Sequence, residues 1–347
     1  MMEAPELLRQ HRQHQRAIAH WEAIRAALPE RAAADRPGLT ICSVAFKARG
    51  CLEAGDRLMR LLNGAAGLPE WLLFDNNTDP AEMVDAGDPR FTIVRPARRE
   101  VDMGYEHALG IGALLGRVRT RFLLVLDPDC FLVVPDWVRR VPAYMDERGL
   151  GFFGTPINPR RHNSYRYFPY MVCMFVDLAR VSPRDLCFVP SVWQLGTSVA
   201  YRMRKALADL PKLGAAFRWL LTEQWKTNGW RIKQQFGRGD RVKFECAQPV
   251  WDVDAAVQDL GAIKGALHRL TPGSVSVIPK AAGYCSRLGF AGMRAPDVAA
   301  LGWEEFVWRG RPFAFHIGSV HGKPGRYEPQ LDAVLRQFTA TEQARPA

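Results

Sequence analysis

The sequence predicts an α/β protein built on a mostly parallel sheet with flanking helices, and three observations carry that expectation. Short apolar runs of strand length recur from residue 39 onward and alternate with helical patterns. Two of these runs stop abruptly on clustered acids and amides. The composition, 48% hydrophobic and 10% aromatic over 347 residues, is ample for a core covering both faces of a sheet.

The elements follow in order. Glu6 to Ala34 has Ile18, Trp21, Ile24 and Leu28 at helical spacing, so one face is apolar and the other cationic. Such a helix either packs on the flank of the domain or lies on a membrane surface. His11 and His14 within it lack a third ligand nearby and read as solvated. The character changes at Asp35-Arg36-Pro37-Gly38, which places a boundary there. Strands are then expected at Leu39–Phe46, Trp71–Phe74, Phe91–Val94 and Phe122–Leu126, with helices at Leu52–Leu62 and Gly104–Gly116. Further strands are expected at Leu150–Thr155, at Tyr170–Val176 and from Pro312 to His316, and a closing amphipathic helix at Glu328–Phe338. The expected organisation is therefore an N-terminal helical extension (1–36), two halves of one domain (37–140 and 141–327), and a C-terminal helix and tail (328–347).

A formal net charge of +11 and a pI near 9.5 favour an anionic partner. Basic and aromatic residues interleave at Phe217–Trp230, but no RNP-like stacking motif accompanies them, so nucleic acid is not expected. The seven cysteines are odd in number, scattered and without a C-x-x-C pair, as in a cytoplasmic protein with reduced thiols. The first residues lead into an Arg- and His-rich segment rather than an apolar core, and no run is long enough to span a bilayer.

The chemistry concentrates where the fourth strand ends. Asp127 and Asp129 flank Pro128 at the carboxyl end of a fully apolar run, and two carboxylates so close favour a divalent cation between them. A solvated polar turn is the alternative. Asp75-Asn76-Asn77 ends the second strand, which brings both acidic clusters to the edge where open α/β sheets bind ligands. A Rossmann reading of Gly110, Gly112 and Gly116 fails, because these glycines lie in a helical pattern after the third strand rather than the first.

Leu39–Phe46, Phe74-Asp75-Asn76-Asn77-Thr78-Asp79, Gly104-x-x-x-Ala108-x-Gly110 and Leu124-Val125-Leu126-Asp127-Pro128-Asp129, in that order, resemble the nucleotide-binding half of a GT-A-fold glycosyltransferase, most closely glycosyltransferase family 2. The resemblance implies a GT-A-like sheet and transfer of a sugar from a nucleotide diphosphate donor to an acceptor hydroxyl on a glycan, lipid-linked or polysaccharide precursor. It implies that Asp75, with Asn77 beside it, contacts the nucleotide, and that Asp127 and Asp129 engage Mn²⁺ or Mg²⁺ and the sugar diphosphate. Arginines near the third and fourth strands, Arg98 and Arg119 among them, suit the diphosphate. His316, with His321 in reserve, falls where such enzymes complete the cation's shell. Gln194 occupies the position of the acidic base in inverting relatives, and Gln cannot take a proton. Either the base is elsewhere, with Asp177, Asp185 and Glu223 as candidates and Asp177 preferred, or the correspondence is shifted, or the protein does not turn over. A sugar-phosphate nucleotidyltransferase and a non-catalytic glycan-binding protein are the alternatives. A cytoplasmic location is expected, with the cationic helix offering peripheral contact to the inner membrane face.

Overall fold

The apolar runs form the strands of one large sheet. In this computed structural model the described residues are 4–30, 36–65, 67–76, 79–84, 87–96, 103–157, 167–190, 228–251, 285–286, 301, 303–318, 331–333 and 335–336. The sheet contains β1 (Leu39–Ala45), β2 (Glu70–Asp75), β3 (Phe91–Val94), β4 (Phe122–Leu126), β6 (Leu150–Gly154), β7 (Cys173–Asp177) and β8 (Lys243–Cys246), in the order β3-β2-β1-β4-β7-β6-β8. β1 to β4 are mutually parallel, as are β6 and β8. β7 runs antiparallel to both its neighbours, so it alone reverses direction. The sheet is thus mostly parallel, with helices against it.

Continuous apolar strands follow from burial on both faces. Ile41, Leu73 and Leu124 pack on one face with Leu52 and Met59 of α2 (Arg49–Asn63) and Val141 and Met145 of α4 (Trp137–Arg148). Cys42, Leu72, Leu123 and Val125 pack on the other with Ile111 and Leu114 of α3 (Met103–Leu115), and with α1 (Ala4–Ala27) and α5 (Trp230–Phe236). α3 lies close against the strands: a Cβ on Gly110 would sit 2.8 Å from Phe74 and 2.9 Å from Val44.

α1 is part of this layer. Ala17 and Trp21 are buried, with Trp21 packed beside Gly112 of α3, so the apolar face has an intramolecular partner. His14 is also buried, its ring 6.0 Å from that of Tyr105, contrary to the expectation of a solvated histidine. Helical phase decides this: His14 stands three residues before Ala17 and seven before Trp21, on the covered face. The division expected at 140/141 falls inside α4, and strands from both sides of it share the large sheet.

A second, smaller sheet joins β5 (Cys130–Leu132), β9 (Gln248–Trp251), β10 (Cys285–Ser286), β11 (Glu304–Trp308) and β12 (Arg311–His316) in the order β10-β9-β11-β12-β5. β11 and β12 form a hairpin whose two turn residues, Arg309 and Gly310, both take positive φ, the geometry of a tight primed turn. Leu331, in the helical residues near the C-terminus, is buried with Phe131 and Phe315 of this sheet.

Candidate metal centre at the junction of the two sheets

The Asp127-Pro128-Asp129 segment is the corner where the chain leaves the large sheet for the small one. The β1–β4 ladder ends at Cys42 and Val125. Beyond it the Ser43 hydroxyl donates to the Leu126 carbonyl (2.6 Å) while accepting from the Trp71 indole (3.0 Å), which pins the last residue of β4. The Asp127 amide donates to the Val172 carbonyl at 2.9 Å, and the Cys130 amide returns to the Asp127 carbonyl at 3.0 Å. That closes a β-turn with Asp at its first position and Pro at its second, where each residue type is favoured.

The small sheet then supplies the histidine. β12 pairs with β5 so that His316 lies opposite Cys130, and the Ile317 amide donates to the Asp129 carbonyl at 3.0 Å. One ligand atom each from Asp127, Asp129 and His316 fall within 4.8 Å of one another. His316 Nε2 is 3.3 Å from Asp129 Oδ1. Burial disfavours the charged imidazole, but the carboxylates of Asp129 and Glu304 outweigh it and hold the His316 pKa well above its ordinary value. Burial also works against the Asp129 carboxylate, yet His316 keeps its pKa below the usual range.

These residues fit a divalent cation. Among the described residues Asp127 Oδ1 is buried without a hydrogen-bond partner, and so is His107 Nε2, which faces it at 3.4 Å from the N-terminal part of α3. Two carboxylates and an imidazole are an oxygen-rich donor set in which the nitrogen favours Mn²⁺ over Mg²⁺.

The other expected site residues are dispersed. Asp75 reaches the same edge, but its side chain is fully buried and Oδ2 accepts from the Val84 amide (3.1 Å) and Arg95 Nε (3.2 Å), tying a loop and Arg95 to the end of β2. Asp177 is at the opposite edge. Because β7 is reversed, Asp177 pairs in register with Phe122, the first residue of β4, and its carboxylate is held by Arg121 and Arg180. It is therefore not placed to act as a base at Asp127 and Asp129. Arg119 shares that edge, since it precedes β4, and it donates to the carbonyls of Gly116 and Val118 rather than approaching the acidic cluster. Asp185 lies in a short 3-10 turn whose neighbour Arg184 donates to the Leu28 carbonyl at the end of α1. Asn77, Arg98, Gln194, Glu223 and His321 lie outside the described residues.

Two residues of the site went unread in the sequence. His107 sits beside Asp127. Glu304, buried in β11, places Oε2 2.7 Å from His316 Nδ1. The available signal for Glu304 was a pair of adjacent acids, Glu304 and Glu305, inside an otherwise apolar strand, because buried carboxylates need partners.

No protein-family model matches the chain, and no curated protein sequence matches it. Solved structures of GT-A-type glycosyltransferases are similar to it in part. One is the mannosyltransferase PcManGT from Pyrobaculum calidifontis in complex with GDP-Man and Mn²⁺, at 10% identity over 50% of this chain and 55% of that one, TM-score 0.31. Another is TarS 1-349 of S. aureus in complex with UDP-GlcNAc, at 10% identity over 44% and 48%, TM-score 0.31. A third is the galactosyltransferase LgtC in complex with donor and acceptor sugar analogues, at 11% identity over 72% and 87%, TM-score 0.32. The chain spans about half the length of the first two.

Proposed function

We propose that the protein is a metal-dependent glycosyltransferase that moves a sugar from a nucleoside diphosphate donor to an acceptor hydroxyl of a glycan or lipid-linked precursor. The observation that carries this is the convergence of Asp127, Asp129 and His316 at the carboxyl edge of a mostly parallel sheet, with one ligand atom from each inside 4.8 Å. Bound there, Mn²⁺ or Mg²⁺ would act as a Lewis acid toward the charge that develops on the departing diphosphate. The chain's own contribution is rigidity. Ser43 and Val172 fix the end of β4, the turn fixes the two carboxylates, and pairing of β5 with β12 fixes His316. His107 and the start of α3 lie on the Asp127 side, where amides and an imidazole suit phosphate oxygens. Direct in-line displacement with inversion needs a base on the acceptor side, and with Asp177 at the far edge Asp185 and Glu223 remain as the candidates. The chain passes from β1 to α2 through only three residues, Phe46, Lys47 and Ala48, which leaves no room for the long Gly-rich loop of a nucleotidyltransferase. A cytoplasmic protein with a net charge of +11 suits the anionic donor, and with its apolar face covered α1 meets a membrane only through its charged side.

The test is a thermal-shift screen of nucleoside diphosphates with and without Mn²⁺, on the wild type and Asp129→Ala. One nucleotide at a hundred times its Kd should add about 2.7 kcal/mol. That gain should require Mn²⁺ and vanish in the variant, and turnover with the matching sugar nucleotide should release free nucleoside diphosphate. Release of pyrophosphate would show a nucleotidyltransferase instead. No stabilisation by any nucleotide would make the protein a non-catalytic relative.

A further inference from the structure

Glu304 touches His316 without being one of the three candidate ligands, and its placement depends on a local irregularity in the β11–β12 hairpin. Near the turn the pairs are Trp308 with Arg311 and Val307 with Pro312. In an unbroken ladder that register would continue to set Glu304 opposite Phe315. Instead a bulge between Phe306 and Val307 inserts one residue into β12, so Phe306 pairs with Ala314 and Glu304 with His316. A one-residue slip exchanges the two faces of a strand, so the bulge decides whether Glu304 meets an aromatic core side chain or the imidazole of the cluster.

The contact that results is short and enclosed. Glu304 and His316 are 3% and 8% exposed, and Glu304 Oε2 is 2.7 Å from His316 Nδ1. With a carboxylate oxygen as the acceptor, Nδ1–H donates the hydrogen bond to Glu304 Oε2. Nε2 is the other nitrogen, and it points toward Asp129 Oδ1 at 3.3 Å, into the candidate metal centre. Three adjacent segments are thereby aligned: Glu304 on β11, His316 on β12, and Asp129 at the start of β5.

We propose that Glu304 is a positioning residue for the metal centre, orienting the His316 ring and holding its proton on Nδ1 so that Nε2 is presented to a divalent cation between Asp127 and Asp129. This rests on the metal reading of the cluster. A carboxylate behind a ligating histidine fixes ring orientation and tautomer and raises ligand basicity, and its loss typically costs about 10- to 100-fold in metal affinity. A carboxylate present only to satisfy a buried histidine would leave metal affinity unmoved.

The experiment is direct Mn²⁺ titration, followed by the electron paramagnetic resonance signal of free Mn²⁺, on wild type, Glu304→Ala, Glu304→Gln and Asp129→Ala, with thermal melts in parallel. The wild type should bind one Mn²⁺ and Asp129→Ala should lose it. Glu304→Ala should weaken binding about 10- to 100-fold. Glu304→Gln should recover much of that loss, because its side-chain carbonyl still accepts from Nδ1, while remaining measurably weaker than wild type. If Glu304→Ala does not fold, Glu304→Gln alone decides, by a several-fold rise in Kd at an unchanged melting temperature. Wild-type affinity in folded Glu304 variants, alongside loss in Asp129→Ala, would overturn the role of Glu304 and leave the metal centre standing. Failure of the wild type itself to bind Mn²⁺ would overturn both.

Discussion

At the edge where β4 begins, the Asp177 carboxylate, fully buried, lies between Arg121 and Arg180, and Arg121 also reaches Asp146. At the edge where β4 ends, Asp127 and Asp129 stand close together with imidazoles facing them, His107 at 3.4 Å and His316 at 3.3 Å. Arginine is charged at every accessible pH and forks onto carboxylates, so the first edge is neutralised by the chain itself. Among the described residues no arginine salt bridge reaches Asp127 or Asp129. A histidine is a weaker counter-charge and also a metal ligand, so that edge has capacity for a cation from outside. The same side-chain types thus make a structural clamp in one place and a candidate site in the other. What distinguishes them is whether their charge is already answered.

The largest expected effect falls at the edge where β4 ends. On the proposed function, Asp127→Asn should lower sugar transfer about 10³-fold, roughly 4 kcal/mol of transition-state stabilisation. Stability should stay level or rise, since one of two adjacent carboxylates is gone. Steady-state assays at saturating Mn²⁺ and a urea melt measure both, and an active Asp127→Asn would erase the contrast between the edges. Asp177→Ala should do the reverse. Breaking a buried pair costs about 3–5 kcal/mol, and because Arg121 and Arg180 are 28% and 42% exposed solvent screening reduces this to about 2–3 kcal/mol. Transfer per folded molecule and its Mn²⁺ dependence should be unchanged.

The smallest effect is at another arginine-held carboxylate, on the edge where β4 begins. Asp88, just before β3, is held by the Arg90 amide and guanidinium and by Arg60, which lower its pKa to about 2. Its folded pKa lies below the ordinary value of about 3.9. The stabilisation is therefore fully present above about pH 4 and lost as the pH falls through about 2. The melting-temperature difference between wild type and Asp88→Asn should hold from pH 7 to pH 5 and close on further acidification. A difference that widens in acid would show that Asp88 is not held in this way.

Much of this was legible along the chain. Phe122–Leu126 is a strand in sequence and in structure, with every residue buried, because an apolar run bounded by Arg121 and Asp127 has little alternative. Asp127, Asp129 and His316 were likewise readable as a set and do converge. The same logic places Arg119 away from the acids, since a residue that precedes a parallel strand lies at the edge opposite one that follows it. Asp177 was less accessible. An apolar run ending in aspartate looks alike whether its strand runs with its neighbours or against them, and only pairing with both β4 and β6 shows that β7 is reversed. Glu304 was hidden for a related reason, since its partner depends on a bulge between Phe306 and Val307 in the pairing of β11 with β12, which no local motif announces.

The sequence by itself determined which segments are buried strands, where the central one ends, and that two carboxylates stand at that end. Those properties follow from local composition and periodicity, which act over a few residues. The tertiary structure decided which carboxylates are neutralised and which remain available, because strand direction and register are set by pairings between distant segments. Reversal of β7 gives Asp177 to arginines, and one inserted residue in β12 gives Glu304 to His316.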